Sequence, residues 1–339
     1  MLGITLRPPS ALAAACLLFL AAPAQASDLK AWRLLASSAP LPPALGAPTG
    51  VYDPVRQRVL AIDASLSNRP VVIHTFEPSP EPRWSTLAVS GTPPNQRYLA
   101  NLVYDPARDR ILLIGSPQWL PVEVWALPLT GEPEWQKLVT SGDPSARYGQ
   151  STIYDPILDR LVMFGGMTYS SPIRFLAEAW ALSLASGAWT VTTPGGPAPG
   201  GREGHGALYD PERRRMIVFG GHYEGPTRAF WNDCWELNLD DTLAWAEIPA
   251  TGPLPGARSA FGTVYDPVRR RMLVHGGINA QSEVEPDDLW ALSKTTKVAS
   301  GFQLLRKLTI PRMGSMNCVG IFRRDGWIGF LISSSANSV

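Results

Sequence analysis

A seven-residue motif recurs along this 339-residue chain and sets its period. Each copy reads Tyr-Asp-Pro, three variable residues and Arg, and an apolar run follows it. Successive copies are 52, 50, 55 and 56 residues apart, beginning at Tyr52, Tyr104, Tyr154, Tyr209 and Tyr265. A period near 50 residues indicates a repeat protein, in which each copy is one supersecondary unit packed on its neighbours.

The motif predicts a tight turn between two strands. Asp followed by Pro favours a type I turn, because Pro fixes φ at about −65° and the Asp side chain accepts hydrogen bonds from the backbone ahead. The following runs, such as ILLI after Arg110 and MIVF after Arg215, are apolar at every position. Such runs are typical of strands that are covered on both faces. Three of them end in a glycine pair, which permits a sharp turn (165–166, 220–221 and 276–277).

Tryptophan and arginine recur with the same period. One tryptophan set is spaced by 55 residues: Trp125, Trp180, Trp235 and Trp290. A second set begins a later strand, and Phe302 takes its place in the fifth repeat: Trp84, Trp135, Trp189 and Trp245. We interpret both sets as core aromatics rather than a ligand platform. An arginine precedes four of the motif tyrosines by seven residues, after Pro/Gly-rich connections: Arg97, Arg147, Arg202 and Arg258.

Each repeat therefore predicts four strands, and over about residues 28–332 the chain resembles a kelch-repeat β-propeller. The glycine pairs, the downstream tryptophan and the arginine before the first strand carry this resemblance. It implies an all-β fold in the superfamily that includes the galactose oxidase central domain. That enzyme holds copper with two Tyr and two His, and one Tyr is cross-linked to a Cys. No stretch of this sequence carries those ligands over, so oxidase activity is not implied.

The resemblance leads us to expect six four-stranded blades, the sixth closed by both chain ends and incomplete. Residues 31–36 would supply its fourth strand, 311–322 its first and 327–332 its second, with no third strand. A propeller closed in this way leaves no exposed sheet edge. The loss of the motif near the C-terminus suggests a shifted reading frame or a truncated gene. We place the propeller at residues 27–332 and a disordered tail at 333–339.

The N-terminal segment has the pattern of a secretory signal peptide. A single charge, Arg7, precedes the apolar run 11–22, and Ala24-Gln25-Ala26 predicts cleavage after Ala26. We expect a secreted or periplasmic protein without a membrane span, because that run is shorter than the roughly 20 residues a span needs. The remaining chain has 29 basic and 29 acidic residues, since Arg7 is the only charge removed from 30 and 29. This balance gives no reason to expect nucleic-acid binding.

Two cysteines remain after cleavage, and two readings of them stay open. Cys234 and Cys318 are either small buried side chains, which we favour, or a disulfide. The ligand-bearing surface is predicted from topology instead. The loops between second and third strands are long and differ between repeats, and variable loops on a rigid scaffold are common binding sites. The candidate binding residues there and in the adjoining connection are Trp119, Tyr169, Arg174, Arg202, His222, Tyr223 and Arg228.

Chemistry-bearing motifs are sparse. The four histidines, His74, His205, His222 and His275, show no spacing typical of a metal site. We therefore assign no catalytic and no metal-binding residue and expect no cofactor. Asp233 and Asp287–Asp288, which precede two of the Trp strands, are predicted to pair with the repeated arginines.

Three functions are compatible with this sequence. The favoured one is a monomeric binding scaffold for a protein or glycan. The second is a carbohydrate-active enzyme, either sialate mutarotase-like or related to the oxidase without copper. It would need Glu203 or Glu224 beside Arg202 and His222 as acid and base. The third is a degenerate fragment without activity.

Overall fold

The structure is a computed structural model of the chain. It describes residues 19–20, 48–63, 71–78, 82–95, 99–117, 119–168, 171–225, 228–251, 253–267, 269–280, 288–294, 300–307, 318–324 and 327–333. Every regular element within these ranges is a β-strand. None of the described residues forms a helix that is long and apolar enough to cross a membrane.

The strands form a β-propeller in which five antiparallel blades are described. The first strand in chain order, β1 (Phe19–Leu20), belongs to a later sheet. Blade one contains β2 (Pro48–Asp53), β3 (Arg58–Asp63), β4 (Ile73–Glu77) and β5 (Arg83–Thr86). Blade two contains β6 (Asn101–Asp105), β7 (Arg110–Gly115), β8 (Glu123–Pro128) and β9 (Gln136–Lys137). Blade three contains β10 (Ser151–Asp155), β11 (Arg160–Phe164), β12 (Ala179–Ser183) and β13 (Trp189–Thr192).

Blades four and five follow the same order with one addition each. Blade four contains β14 (Gly206–Asp210) and β15 (Arg215–Phe219), then a separate hairpin of β16 (His222–Tyr223) and β17 (Ala229–Phe230), then β18 (Cys234–Asn238) and β19 (Trp245–Glu247). The short β20 (Ala250–Thr251) pairs in parallel with the outer strand of blade five. Blade five contains β21 (Gly262–Asp266), β22 (Arg271–His275), β23 (Asp288–Lys294) and β24 (Ser300–Lys307).

The Tyr-Asp-Pro motif forms the predicted turn in every described blade. In blade four, Asp210 pairs with Arg215 across a four-residue loop. The Asp210 carboxylate accepts the backbone N–H of Glu212 at 3.1 Å and the Arg215 Nε–H at 2.9 Å. The last loop residue has a left-handed conformation in all five turns, with φ between +44° and +53° (Gln57, Asp109, Asp159, Arg214 and Arg270). The aspartate therefore satisfies the turn backbone and holds the motif arginine in place.

Apolar second strands and tryptophans form the core between blades. In β11 and β15 every residue after the arginine is buried, so these strands are covered on both faces as predicted. The four tryptophans of the second set are 3–5% exposed: Trp84, Trp135, Trp189 and Trp245. Trp189 packs in one cluster with residues of blades two and three, including Leu112 and Leu161. The interpretation of this set as core aromatics is confirmed.

The first tryptophan set anchors to acidic residues. In four blades the indole Nε1–H donates to the carboxylate two residues earlier: Trp125 to Glu123, Trp180 to Glu178, Trp235 to Asp233 and Trp290 to Asp288. Three of these acids also bind the repeated arginine of the same blade, in the pairs Arg147–Glu178, Arg202–Asp233 and Arg258–Asp288. The predicted pairing of the acids with the repeated arginines is therefore confirmed for Asp233 and Asp288.

The last sheet differs from the expected sixth blade. Its strands lie in the order β1, β25 (Cys318–Arg324) and β26 (Trp327–Ser333), with β1 parallel to β25. We predicted 311–322 as the inner, first strand, but β26 lies against the inner strands β21 and β2 of blades five and one. An inner strand is covered on both faces, which suits β26 because it has no charge, whereas β25 carries Arg323 and Arg324. Residues 31–36 lie outside the described residues, and the count of six blades stays a prediction.

Candidate functional site

Antiparallel blades give the propeller two distinct faces. The Asp-Pro turns between first and second strands lie on one of them, which we call the turn face. The segments between second and third strands lie on the opposite one, the loop face, and their described parts are 116–117, 119–122, 165–168, 171–178, 220–225, 228–233 and 276–280. The connections between blades also reach the loop face, because each fourth strand runs antiparallel to the third.

Blade four carries the most structured part of the loop face. The hairpin β16–β17 pairs His222 with Phe230 and Tyr223 with Ala229. It is tied to the inner part of the blade by two backbone hydrogen bonds, from His222 N–H to Glu203 O at 2.9 Å and from Glu203 N–H to His222 O at 3.0 Å. Ring side chains are adjacent in this segment, His222 with Tyr223 in β16 and Phe230 with Trp231 at the end of β17.

An aromatic cluster surrounds the hairpin. Phe175 from blade three packs against Tyr223, with ring centroids 4.9 Å apart. His222 stacks on Phe230 at 5.2 Å with an interplanar angle of 18°, and Tyr223 lies 6.3 Å from Trp231. Offset and tilted ring pairs of this kind add stability beyond their buried area. The cluster therefore fixes the loops of blades three and four relative to each other.

Two guanidinium groups stack on this cluster. The Arg228 guanidinium carbon lies 5.0 Å from the Phe230 ring centroid, and Arg228 is exposed to solvent. The Arg202 guanidinium carbon lies 4.5 Å from the Trp231 centroid. Arg202 is only 1% exposed, however, and its terminal nitrogens donate to both oxygens of Asp233 at 2.7 and 2.8 Å. Arg202 thus stabilises the blade, whereas Arg228 presents a positive charge at the surface.

The buried Glu203 and the half-buried His222 of the cluster form an acid–base contact. Glu203 Oε1 lies 3.2 Å from His222 Nε2. Burial, together with the neighbouring Glu224 carboxylate, raises the pKa of Glu203 to about 8. Burial also lowers the pKa of His222 to about 4, with Arg228 contributing in the same direction. Both groups are therefore neutral near pH 7, and the contact joins a carboxylic acid to an imidazole rather than two ions.

Two polar atoms of this pair have no partner among the described residues. They are Glu203 Oε2 and His222 Nδ1, and both are buried. The Glu203 carboxyl group packs onto Gly149 of blade three, where a Cβ would clash with it. Gly149 has φ +67°, so a side chain there would be strained as well. The pair has the composition of a proton donor and a proton acceptor in a site of low polarity.

The other histidines have structural surroundings. His205 immediately precedes β14 and shares a 2.6 Å hydrogen bond between its Nε2 and Ser151 Oγ of blade three. Burial, with the nearby Arg202 charge, lowers the pKa of His205 to about 3. His275 lies in β22, where its Nδ1 is 2.9 Å from the Asp288 carbonyl oxygen, and His74 lies in β4. Within the described ranges no three acidic, histidine or cysteine side chains converge to hold a metal ion.

The outer loop face carries exposed apolar residues. Trp119 and Leu120 of blade two are 67% and 58% exposed, and Ile173 of blade three is 58% exposed. Arg174 next to Ile173 is also exposed, while its backbone N–H donates to Thr168 Oγ1 at 3.0 Å. Tyr169, another candidate from the sequence, lies outside the described residues. Among the described candidates, Trp119, Arg174 and Arg228 are thus exposed, His222 and Tyr223 are half-buried, and Arg202 is buried.

The cysteine question is settled for one residue. Cys234 is a free thiol, 2% exposed, and burial raises its pKa. A thiol in such surroundings stays protonated and behaves as a small apolar side chain. The side chain of Cys318 lies outside the described part of the chain.

Comparison with known proteins agrees with the repeat and with the fold. The sequence model of the KLHDC2/KLHL20/DRC7 Kelch-repeats domain matches residues 121–321. This chain belongs to the kelch-repeat family. Among solved structures, one titled "Structure of YjhT" is similar, with a TM-score of 0.57 and 12% identity over 86% of this chain and 94% of that chain. At that identity the likeness concerns the fold alone, and it agrees with the kelch propeller that the sequence predicts.

Two residues of the aromatic cluster were not predicted from the sequence. Phe175 and Phe230 were not among the candidate binding residues, although each lies in a loop that contains such candidates. Their role depends on packing between blades, since Phe175 contacts rings from the next repeat. An aromatic residue in an otherwise polar, variable loop was the available signal.

Proposed function

We propose that this chain is a secreted kelch propeller that binds a protein segment through the loop face of blades two to four. The observation that carries the proposal is that Trp119, Leu120 and Ile173 are exposed on the loop-face segments of blades two and three, while Arg174 and Arg228 expose positive charge on those of blades three and four. Aromatic and arginine side chains on a rigid support dominate the energetics of protein recognition. Apolar side chains spread over two blades suit an extended segment with several anchoring residues rather than a compact ligand.

Rigidity of the supporting elements favours this surface over the turn face. Arg228 and Tyr223 lie on or beside the β16–β17 hairpin, which the ring cluster holds against blade three. Binding residues that are already ordered lose little conformational entropy when a partner docks. The turn face also exposes apolar side chains, Val55 in blade one and the adjacent Ile157 and Leu158 in blade three, but they lie within short turns of constant length.

The binding proposal is tested on arrays of peptides and of glycans. We expect peptides with apolar and acidic residues to bind, and we expect Arg228→Ala to weaken them. Arg83→Ala is the matched control, because Arg83 is 60% exposed on an outer strand of blade one. Selective binding to glycans would show that the same surface recognises a carbohydrate instead of a protein segment. An equal loss of binding in both variants would refute the proposed site.

Secretion is tested separately. Expression of the full chain with its N-terminus intact should yield an exported protein that begins at Ser27. The mass of the exported protein measures this directly. Retention of residues 1–26 on a protein that stays inside the cell would contradict the proposal of a cleaved signal peptide.

A second candidate function is a carbohydrate-active enzyme, and the Glu203–His222 contact supports it. A protonated carboxyl beside a neutral imidazole is a suitable acid and base for proton transfers at a sugar anomeric centre. A turnover screen on reducing and acidic sugars tests this, with Glu203→Gln as the informative variant. Turnover that disappears in Glu203→Gln would establish the enzyme, and its absence over the panel would leave the binding scaffold.

A further inference from the structure

The Asp-Pro turns of neighbouring blades are joined by ion pairs on the turn face. Arg56 of blade one donates from Nη1 and Nη2 to the two oxygens of Asp109 in blade two, at 3.1 and 2.8 Å. Arg108 of blade two binds Asp159 of blade three in the same way, at 2.8 and 2.5 Å. A tyrosine completes each site, since Tyr104 donates its hydroxyl to Asp109 and Tyr154 donates to Asp159. A carboxylate is thus held by a guanidinium and a phenol at two successive interfaces.

The interface between blades four and five keeps the donors and replaces the acceptor. Arg213 lies three residues after its motif aspartate, which is the position of Arg56 and Arg108. Tyr265 occupies the position of Tyr104 and Tyr154. The carboxylate position, four residues after the motif aspartate, is Arg270 instead of aspartate. Two arginines and a tyrosine therefore meet where the earlier interfaces bind an anionic group.

A pocket lies at this point, and its polar lining is mainly basic. We call it the turn pocket; its polar side chains are Asp210, Arg213, Arg215, Tyr265, Arg270 and Arg271, over an apolar floor. The two turns that form it, 210–215 and 266–271, contain six arginines and three acidic residues, a net charge of +3. In the corresponding turns of blades two and three, 105–110 and 155–160, three arginines face four aspartates.

The neighbouring acids do not use all the hydrogen-bond donors of the turn pocket. Arg213 uses Nη1 for Asp210 at 3.1 Å, and Arg270 contacts Glu212 through Nε at 2.6 Å. No described residue accepts a hydrogen bond from the terminal nitrogens of Arg270 or from the Tyr265 hydroxyl. Arg270 is also 67% exposed, so an ion from solvent can reach it.

We propose that the turn pocket binds a tetrahedral oxyanion, a phosphate or sulfate group, in place of the missing carboxylate. Arg213 and Arg270 would each donate to oxygens of the anion, and Tyr265 would donate its hydroxyl. Guanidinium groups bind such oxyanions by paired, charge-assisted hydrogen bonds. Two guanidiniums and a phenol that converge from different residues suit an anion with oxygens in several directions better than a planar carboxylate. The site lies on the opposite face from the proposed protein-binding surface and does not depend on it.

Calorimetric titration of the purified chain with sodium sulfate and sodium phosphate tests the proposal, with sodium chloride at matched ionic strength as reference. The decisive variant is Arg270→Asp, which restores the carboxylate that blades two and three have. Aspartate at Asp109 and Asp159 already adopts φ of +44° and +45°, close to the +53° of Arg270, so the variant should fold. Val139→Asp is the control, because residue 139 is 92% exposed in a different part of the propeller and the variant also gains a carboxylate.

We expect saturable binding of sulfate and phosphate to the wild type and to Val139→Asp. In Arg270→Asp the affinity should fall about tenfold or more, the usual effect of losing one charged hydrogen-bonding partner. Arg270→Asp should also unfold at a higher temperature than the wild type in buffer without oxyanions. Equal responses to sulfate and chloride in the wild type, or unchanged sulfate binding in Arg270→Asp, would overturn the proposal.

Two further arms identify the source of the oxyanion. A sulfated polysaccharide and a sugar phosphate are titrated in the same way. Tighter binding of the polysaccharide than of inorganic sulfate would identify a sulfated glycan, and tighter binding of the sugar phosphate would identify a phosphate ester. Binding of the inorganic ions alone would identify a small structural anion. Whichever of the two compounds binds more tightly than the inorganic ion, Arg270→Asp must remove that tighter binding.

Discussion

Arg258 donates two parallel hydrogen bonds to the carboxylate of Asp288, from Nη1 to Oδ1 at 2.7 Å and from Nη2 to Oδ2 at 2.8 Å. Asp288 also accepts the indole N–H of Trp290 at 2.6 Å, and the Arg258 side chain is fully buried. The repeated arginine, the acid and the tryptophan thus form one unit that connects the inner strand of a blade to its third strand. Blades three and four repeat this unit with Glu178 and Asp233.

Removing the acid of this unit should be costly in proportion to its burial. Asp288→Ala removes the carboxylate that accepts two hydrogen bonds from the buried Arg258 guanidinium, and we expect a loss of about 3–5 kcal/mol in the free energy of unfolding. Glu178→Ala removes the equivalent acid of blade three, which is 47% exposed and accepts one hydrogen bond from Arg147 instead of two, and it should cost less, about 1–2 kcal/mol. Denaturant unfolding of the two variants measures the difference. Similar losses in the two variants would contradict the prediction that this unit contributes more to stability where its acid is buried.

The turn-face ion pairs predict a loss of stability in acid. A hydrogen bond from Arg56 holds the pKa of Asp109 below its usual value, and Arg108 does the same for Asp159. A carboxyl whose pKa is lower in the folded state stabilises the fold above its unfolded pKa of about 3.9, and this contribution disappears as the pH falls further. We expect the thermal midpoint to drop below about pH 4. Asp109→Asn should show a smaller drop, whereas the exposed control Asp143→Asn should follow the wild type.

Glu203 predicts the opposite trend on the alkaline side. Its pKa of about 8 lies above the unfolded value near 4.3, so stability is greatest below the unfolded pKa and falls as the pH rises toward 8. His205 and His222, with lowered pKa values, reduce stability only below about pH 6.5. From about pH 6.5 to 8 the decline therefore reports Glu203, at up to about 1.4 kcal/mol per pH unit.

Glu203→Gln should remove that decline, because glutamine does not titrate. Glu132→Gln changes an exposed glutamate in the same way and should retain it. Chemical denaturation at several pH values measures the slope. A slope that persists unchanged in Glu203→Gln would show that the carboxyl group at residue 203 is not held neutral by its surroundings.

The Glu203 site should require glycine at position 149 for two reasons. The Glu203 carboxyl group approaches this residue closely, and the backbone there has a positive φ. Gly131 has almost the same backbone, φ +68° against +67°, but open space around it. Gly131→Ala should therefore cost only the strain of a left-handed residue, about 1 kcal/mol. Gly149→Ala should cost more and should shift the Glu203 titration, because the new methyl group displaces the carboxyl group. Equal costs at both positions would refute the close packing.

The sequence was informative where a structural need is repeated and local. The turn at Tyr209–Arg215, the buried strand after it and the core position of Trp245 follow from the motif, the spacing and the continuous apolar run. The pairing of Arg202 with Asp233 was also predicted, although Arg202 was a binding candidate as well. Its burial excludes it from direct contact with solvent. A conspicuous arginine beside a variable loop does not by itself distinguish support from recognition.

The rest could not be predicted because it depends on contacts between repeats. The β16–β17 hairpin forms where Phe175 of one blade meets Tyr223 of the next, and no spacing within one repeat encodes that contact. The inner position of β26 depends likewise on the strands of blades one and five that flank it. Where the motif is lost, the sequence has no repeat to set the strand order, and the relative polarity of β25 and β26 determines it.

The central proposal is that the Asp-Pro turns support the fold and that peptide recognition belongs to the loop face. Two matched double variants test it on one peptide array: Trp119→Ala with Ile173→Ala on the loop face, and Val55→Ala with Ile157→Ala on the turn face. The replaced side chains are 67% and 58% exposed in the first pair and 66% and 59% in the second. We predict that the loop-face pair loses peptide binding with an unchanged thermal midpoint, while the turn-face pair binds as the wild type does. Loss of binding in the turn-face pair, with binding retained in the loop-face pair, would contradict the account.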